Sequence, residues 1–276
     1  MNPGGLIAAA ARSISSTMGT KGLLSPAQIT LGDRNLQEIL DEHERWLASS
    51  GQQGQRADVR GANLSGADLL AGAKLSGANL EEAVLMEANL SEVKLTGATL
   101  SRANLVEARI CGADLANADL TGANLLRADM TGASLVEAGC AGASLRFARL
   151  AGAKMSRADL TEARLNQADL HNADLFKARL TRASLAAANL RGADLSGADL
   201  TSCNLGKAVL ASANLSGAVL LDAILEGADL THANLSGANL SGARGLTSKQ
   251  LLSAVTNAKT ILPNRAPGPY SAGLAF

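Results

Sequence analysis

The sequence predicts an all-β solenoid, in which the chain winds into a tube of short strands and tight corners. From Leu75 to Leu240 a large apolar residue recurs at every fifth position, and all but four of these central positions hold Leu. Ala stands two residues before nearly every one, and a polar residue, often Asp or Asn, lies between. Because side chains two apart share a face of an extended chain, Ala and Leu are expected inside and Asp or Asn outside.

The spacing also predicts the corners. A period of five fits neither a helix nor a long flat strand. Ser or Thr and then Gly often follow the central residue, as in Ser76-Gly77 and Thr121-Gly122. A type II turn needs positive φ at its third residue, which Gly adopts without a Cβ clash. Other units have Glu, Arg or Asn in place of Gly, so we expect some corners to use a different turn.

The repeated Ala-(Asp/Asn)-Leu-X-X pattern resembles the pentapeptide-repeat family over roughly residues 57–245. The resemblance implies a right-handed quadrilateral parallel β-helix. With about 20 residues in each coil, the chain would form about nine coils and a rod about 45 Å long. The predicted structural core is the column of central Leu residues, represented by Leu75, Leu80, Leu115, Leu120, Leu160, Leu195, Leu200 and Leu240.

Four segments are predicted: residues 1–32, 33–55, 56–245 and 246–276. The first contains no acidic residue, only Arg12 and Lys21 as basic residues, and many small ones. Such a composition resembles that of transit peptides, so a targeting or secretion leader is one interpretation. The interpretation that we favour is a flexible or loosely helical N-terminal arm, because chain ends are commonly mobile.

Residues 33–55 are predicted to form a capping helix and a linker. Apolar residues at helical spacing indicate an amphipathic helix over residues 33–48, with Asp33 as its N-cap. The end coil of a β-helix exposes unpaired backbone, so we expect this helix to cover it with Leu36, Ile39, Leu40, Trp46 and Leu47. One extra residue in the sequence Leu70-Ala71-Gly72 predicts a bulged corner between the first fives and the rest.

Residues 246–276 are predicted to form a second cap and a tail. Thr247 and Gln250 have the spacing of a capping box. Leu251, Leu252 and Val255 would supply the apolar face of the helix that follows. The tail from Pro263 onward reads as irregular and is expected to fold back. The two helical caps favour a monomer or a weak dimer.

Charges are balanced along the predicted rod. Residues 20 apart should stack on one side, which gives the alternating columns Arg109, Asp129, Arg149, Asp169 and Asp159, Arg179, Asp199. The resemblance also raises the alternative of a DNA-mimic modulator of DNA gyrase or topoisomerase. A mimic of the duplex needs a dense, uncompensated negative charge, and these columns neutralise their Asp residues. Direct nucleic-acid binding is not expected, because basic excess and stacking aromatics are lacking.

No constellation in the sequence supports catalysis, so we expect a protein that is not an enzyme, with no catalytic residue, cofactor or metal site. Cys140 and Cys203 occupy inner positions of the repeat and Cys111 a corner. None belongs to a CxxC motif, and a reducing, cytoplasmic location fits. His171 and His232 would lie about three coils apart, or roughly 14 Å, too far to share a metal. No apolar run is long enough to span a membrane.

One set of apolar residues is left without a structural role in the repeat, and we call it the apolar strip. It consists of Val84, Met86, Val106, Leu126 and Phe147, which should lie on one side over four successive coils. Exposed apolar patches often mark contacts, although scattered apolar surface residues are also normal. The sequence therefore predicts a non-enzymatic protein-interaction rod or scaffold with an unknown protein partner. A secreted effector or organelle-targeted repeat protein is a further alternative.

Overall fold

A computed structural model describes residues 22–69 and 73–268 of the chain. Within them, single residues 20 positions apart pair through parallel β-bridges, and four such series run the length of the molecule. The chain is therefore a parallel β-helix with four sides to each coil. We number the four sides in chain order and identify each by one of its bridged pairs. These pairs are Lys74–Lys94 on side 1, Asn79–Thr99 on side 2, Val84–Asn104 on side 3 and Asn89–Arg109 on side 4.

The core is a continuous column of Ala and Leu side chains. The eight Leu residues predicted for the core are each at most 2 % exposed, and the Ala residues two positions before them are equally buried except Ala73, which is half-buried. The buried cluster extends without a break from Ile29, before the coils, to Leu262, after them. Burial of a Leu side chain contributes about 1.5–3 kcal/mol, so stability is spread evenly along the rod.

Each five-residue unit can satisfy all of its backbone donors, as the unit from Ala118 to Gly122 shows. The Ala118 N–H closes the preceding corner on Leu115, while the N–H groups of Asp119, Leu120 and Gly122 bond to the neighbouring coils. The remaining donor, the Thr121 N–H, bonds to the Asp119 carboxylate at 2.9 Å. Asp and Asn recur between Ala and Leu because their side chains cap this otherwise unpaired N–H group.

All corners from Leu75 to Leu240 use one backbone conformation. Their second residue has positive φ whether it is Gly, as Gly77 at +68°, or not, as Glu82 at +57° and Phe147 at +59°. The expectation of a different turn at the corners without Gly is therefore wrong. The cause is the coil pairing, since the N–H of this residue must reach the next coil, as Glu82 N–H does to Ser101 O at 2.9 Å.

The N-terminal end is closed by a small folded unit. It comprises a 3₁₀ turn, Pro26–Gln28, strands β1, Thr30–Leu31, and β2, Arg34–Asn35, and helix α1, Leu36–Ala48. Strands β1 and β2 pair antiparallel, with Thr30 opposite Asn35. The N-cap of α1 is Asn35, whose side chain accepts from the Glu38 N–H at 2.9 Å, so the prediction of Asp33 is wrong. Asp33 instead lies in the turn of the hairpin.

Residues 22–32 differ from the flexible arm expected of them. Leu24 pairs with Ala67, and its N–H bonds to Gly66 O at 2.8 Å. Ile29 is buried against α1 and the first coil. Residues 1–21, which hold the rest of the predicted arm, lie outside the described residues.

The extra residue predicted before Leu75 is visible in the pairing register. Asp58, Asn63 and Asp68 pair with residues 21 positions later, whereas the spacing is 20 for every pair from Lys74–Lys94 to Ile224–Arg244. The predicted bulged corner itself, residues 70–72, lies outside the described residues.

The C-terminal end is covered less completely than predicted. Helix α2, Ser248–Ser253, has the predicted capping box of Thr247 and Gln250, and Leu251 is buried. Leu252 and Val255 are 54 % and 52 % exposed, so their assignment to the covering face is wrong. The helix ends early because Val255 extends side 1 by pairing with Asn234. Beyond it the chain folds back, as Ile261 pairs antiparallel with Pro267.

Candidate partner-binding surface

The apolar strip lies on side 3 of the β-helix. Val84 pairs with Asn104 and through it with Asn124 and Ser144. Met86, Val106 and Leu126 follow one another at the corner position two residues later, because the N–H of Glu87 bonds to Val106 O and that of Glu107 to Leu126 O. The next residue in that column is Arg146, and Phe147 follows it at the tip of the corner.

Where the strip runs, side 3 carries two adjacent columns of residues, one through Asn104 and Asn124 and one through Val106 and Leu126. The Asn104 side-chain oxygen accepts from the Val106 N–H at 3.4 Å, and that of Asn124 accepts from the Leu126 N–H at 3.3 Å. These two amide oxygens are therefore engaged with the protein's own backbone. The apolar column lies directly beside them and is open to a partner at these coils.

Exposure varies along the strip. Met86 and Phe147 are 36 % and 38 % exposed, whereas Val84, Val106 and Leu126 are half-buried. The half-buried members pack against their neighbours in adjacent coils and still present part of their surface. The structure thus brings together Met86, Val106 and Leu126 as one column, with Val84 beside its start and Phe147 beyond its end.

Charged side chains border the strip unevenly. Glu107 and Arg127, at the tip of the same corner, form an ion pair of 3.3 Å. Among the ion pairs of the described residues, none involves Glu87, which lies beside Met86. The surface therefore carries an unpaired carboxylate at the end of the strip nearer the N-terminus.

The opposite end of the strip is basic, which the sequence analysis overlooked. The Arg146 guanidinium lies 5.7 Å from the centre of the Phe147 ring. Arg164 pairs with Ser144 on side 3, one coil further along, and is exposed. Neither Arg takes part in an ion pair of the described part of the chain. The spacing of 20 between Ser144 and Arg164 was the signal that could have revealed this cluster.

Each of the two predicted charge columns forms one ion pair within the described residues. Arg149 lies 3.4 Å from Asp129, and Arg179 lies 3.5 Å from Asp159, each across one coil. Burial tends to raise the pKa of Asp129, but hydrogen bonds from Thr131 and the charge of Arg149 outweigh it, so the pKa lies below its usual value. These ion pairs connect neighbouring coils and, being exposed on the Arg side, contribute little to stability.

The remaining candidate groups have structural roles. Cys140 and Cys203 are buried, and burial raises the pKa of the Cys140 thiol to about 12, which keeps it protonated and unreactive. His171 contacts Asp169 at 2.9 Å. Across residues 22–69 and 73–268, no group of three His, Cys, Asp or Glu side chains could hold a metal ion. In those same residues, no helix has the length and apolar character that crossing a bilayer requires.

His43 is the one buried ionisable group of the N-terminal cap within the described residues. It is fully buried in α1, stacks on Trp46 with ring centres 5.5 Å apart, and accepts the Ala57 N–H at Nδ1. Trp46 and Leu47, predicted to cover the first coil, are half-buried, whereas Leu36, Ile39 and Leu40 are buried. His43 therefore replaces Trp46 as the innermost residue at this end of the helix.

Comparison with solved structures finds several pentapeptide repeat proteins. HetL, involved in heterocyst differentiation regulation in the cyanobacterium Nostoc sp. strain PCC 7120, is 34 % identical, with 82 % of this chain and 97 % of HetL covered and a TM-score of 0.41. A thylakoid lumen protein of Arabidopsis thaliana is 30 % identical, covering 51 % of this chain and 74 % of that one, with a TM-score of 0.19. QnrB1, a plasmid-mediated fluoroquinolone resistance protein, is 18 % identical, covering 63 % and 93 %, with a TM-score of 0.34.

No curated protein matches the chain. The family model described as pentapeptide repeats matches in eight copies, over residues 70–102, 103–138, 140–176, 178–217 and 208–244. These ranges cover most of the coils described above, and their five-residue units are the ones whose Ala and Leu side chains fill the core. The chain therefore belongs to the pentapeptide repeat family.

Proposed function

We propose that this protein is a non-enzymatic interaction rod of about nine coils, capped at both ends, which binds a partner protein through the apolar strip on side 3. The observation that carries the proposal is the column of Met86, Val106 and Leu126, which is apolar at three successive coils. The corresponding column of side 2 is polar at its first three positions, Glu81, Ser101 and Thr121.

The rigidity of the scaffold supports this role. Backbone hydrogen bonds link each coil to the next on all four sides, and the inner side chains are closely packed. Residues on side 3 are therefore held at fixed spacing before a partner arrives, so binding orders few side chains. Preorganisation of this kind raises affinity by lowering the entropic cost of association.

The test is affinity capture from the source cell with the wild-type chain and with the Met86→Glu/Leu126→Glu variant. We expect the variant to lose at least one partner protein that the wild type retains, because two carboxylates would have to be desolvated at the contact. The matched control is Val136→Glu/Phe176→Glu, which makes the same kind of change two coils apart at the corner after side 1.

The two results separate the possible outcomes. Loss of the partner in the side 3 variant and retention in the control supports the strip as the binding surface. Equal capture by all three proteins overturns it. Circular dichroism of each variant checks that the β-helix is intact.

The topoisomerase-directed alternative has less support from the charges. A duplex carries a negative charge about every 1.7 Å, whereas on sides 2 and 4 Asp159 and Asp129 are neutralised by Arg179 and Arg149. The interaction rod is accordingly the function that the surface supports best.

A further inference from the structure

The two ends of the apolar strip carry opposite charges. At one end, Glu87 follows Met86 directly and lies outside every ion pair of the described residues. At the other end, Arg146 and Arg164 lie at side 3 in consecutive coils, also outside the ion pairs there, and Phe147 stands beside Arg146 at the tip of the corner. In between, Glu107 and Arg127 neutralise one another.

The dimensions of the strip match one kind of partner segment. At about 4.8 Å for each coil, the distance from Met86 to Phe147 along the rod is about 14 Å. Three turns of an α-helix span about 16 Å and place a side chain on one face at every turn. A helix lying along the rod would therefore meet one apolar residue of the strip at each turn.

From these observations we infer that the strip binds an amphipathic α-helix of a partner protein in one orientation, with an acidic first turn over Arg146 and Arg164 and a basic last turn over Glu87. This inference rests on the proposed function and adds the chemistry and direction of the partner segment. The charges of the strip require an acidic end and a basic end. Acidic residues stabilise a helix at its N-terminus and basic residues at its C-terminus, which assigns the direction of the partner chain.

Arg is well suited to the acidic end of such a helix. Its planar guanidinium can contact a carboxylate through two parallel hydrogen bonds, and such charge-assisted bonds are stronger than neutral ones. Arg146 is also stacked near the Phe147 ring, which restricts its conformations before binding. The asymmetry of charge gives specificity of orientation, while the apolar column supplies the contact area.

The experiment uses two labelled peptides of about 18 residues, or five helical turns, and fluorescence anisotropy with the full-length protein. Both carry Leu at four positions along one helical face. The first has Glu in its first turn and Lys in its last turn, and the second has these charges exchanged. We expect the wild type to bind the first peptide about tenfold more tightly than the second, a difference of about 1.4 kcal/mol, because two or three exposed ion pairs are gained.

Charge reversal on the protein should reverse this preference. Arg146→Glu/Arg164→Glu should weaken binding of the first peptide about tenfold, and adding Glu87→Lys should make the second peptide the tighter ligand. The control Lys94→Glu/Lys154→Glu changes the charge by the same amount on side 1 and should leave both affinities within about twofold of the wild type.

The outcomes distinguish the inference from the proposed function. If both peptides bind the wild type equally, or if the preference survives reversal of Arg146 and Arg164, the orientation is wrong although the strip still binds helices. If neither peptide binds at about 1 mM, the helical partner is wrong, and the capture experiment with Met86→Glu/Leu126→Glu decides separately on the strip. If the peptides bind Met86→Glu/Leu126→Glu as tightly as the wild type, they bind elsewhere and the inference is wrong, while the capture experiment still decides on the proposed function.

Discussion

His43 of helix α1 joins the N-terminal cap to the coils by accepting a hydrogen bond at Nδ1 from the Ala57 N–H, at 3.1 Å. Its Nε2 is buried and makes no hydrogen bond with the described residues. An imidazole that accepts at Nδ1 carries its proton on Nε2, and a second proton would have to displace the Ala57 bond. The contact thus depends on His43 staying neutral.

The first prediction concerns the stability of this cap in mild acid. Burial has the largest effect on His43 and lowers its pKa below 6.5. The Ser76 backbone raises this pKa, and the charge of Arg56 lowers it. The unfolded chain therefore binds a proton more readily than the folded one. The stabilisation is present above about pH 6.5 and is lost as the pH falls toward the lowered pKa, by up to about 1.4 kcal/mol for each pH unit.

Hydrogen exchange of the Ala57 amide between about pH 7.5 and 5.5 measures this effect after correction for the intrinsic exchange rate. Protection should fall in the wild type and stay constant in His43→Gln, which keeps an acceptor but cannot be protonated in this range. The same loss of protection in both proteins would rule out His43 as its cause. The Asp residues of the columns act in a lower window, because the pKa of Asp129 lies below 3.8.

A second prediction concerns the Asp and Asn residues between Ala and Leu. Asp119→Ala should destabilise the protein by about 1 kcal/mol, because the Thr121 N–H loses its acceptor. Asp119→Asn keeps the side-chain oxygen and should cost much less. Urea unfolding of the two variants measures the difference. If Asn is as destabilising as Ala, the carboxylate contributes through its charge and not through the cap.

A third prediction tests the left-handed corners. Gly77 has positive φ, and a Cβ added there would meet open space, so Gly77→Ala should cost about 1 kcal/mol through the backbone alone. Gly139 lies on side 2 without positive φ, and its Cβ would meet only ordinary contacts at 3.7 Å or more. Gly139→Ala should therefore be neutral or stabilising. Equal effects at the two positions, measured by thermal unfolding, would contradict a conformational origin.

A fourth prediction concerns the core. Leu160 is fully buried in the middle of the column, so Leu160→Ala should destabilise the protein by about 2–5 kcal/mol, since neighbouring coils cannot collapse into the cavity. Leu252→Ala makes the same change at a residue that is 54 % exposed and should cost less than about 0.5 kcal/mol. A small effect at Leu160 would mean that the inner column is not closely packed.

A fifth prediction concerns the balance of charge. Because Arg179 neutralises Asp159 and Arg149 neutralises Asp129, we expect no protection in a DNA gyrase supercoiling assay at micromolar protein. The double variant Arg149→Gln/Arg179→Gln leaves Asp129 and Asp159 without their Arg partners. Assayed beside the wild type, it measures how much protection the uncompensated acidic residues would give. Protection by the wild type would favour the duplex mimic over the interaction rod.

The inner residues and the corners could be placed from sequence because their period is unbroken from Leu75 to Leu240. What the period could not give was the conformation of corners without Gly, such as Glu82, where pairing with the next coil imposes a positive φ. Local helical spacing likewise misassigned Val255, which instead pairs with Asn234. In both cases a contact distant in sequence outweighs the local preference.

The apolar part of the candidate surface was predicted from the sequence, but its basic end was not. Its apolar members stood out because they replace polar residues of the repeat. Arg146 and Arg164 did not, because Arg is common on the surface and their proximity depends on two different positions in successive coils. The N-cap Asn35 was missed because the hairpin before it delays the start of α1.

The spacing of 20 residues between paired positions also restricts how such a chain can change in length. Losing or duplicating one unit of five would rotate everything downstream by a quarter turn, and such a change between Met86 and Leu126 would divide the strip between two different sides. Losing or duplicating twenty residues would only shorten or lengthen the rod and leave every surface aligned. Insertions and deletions that preserve a binding surface should therefore come in multiples of a full turn.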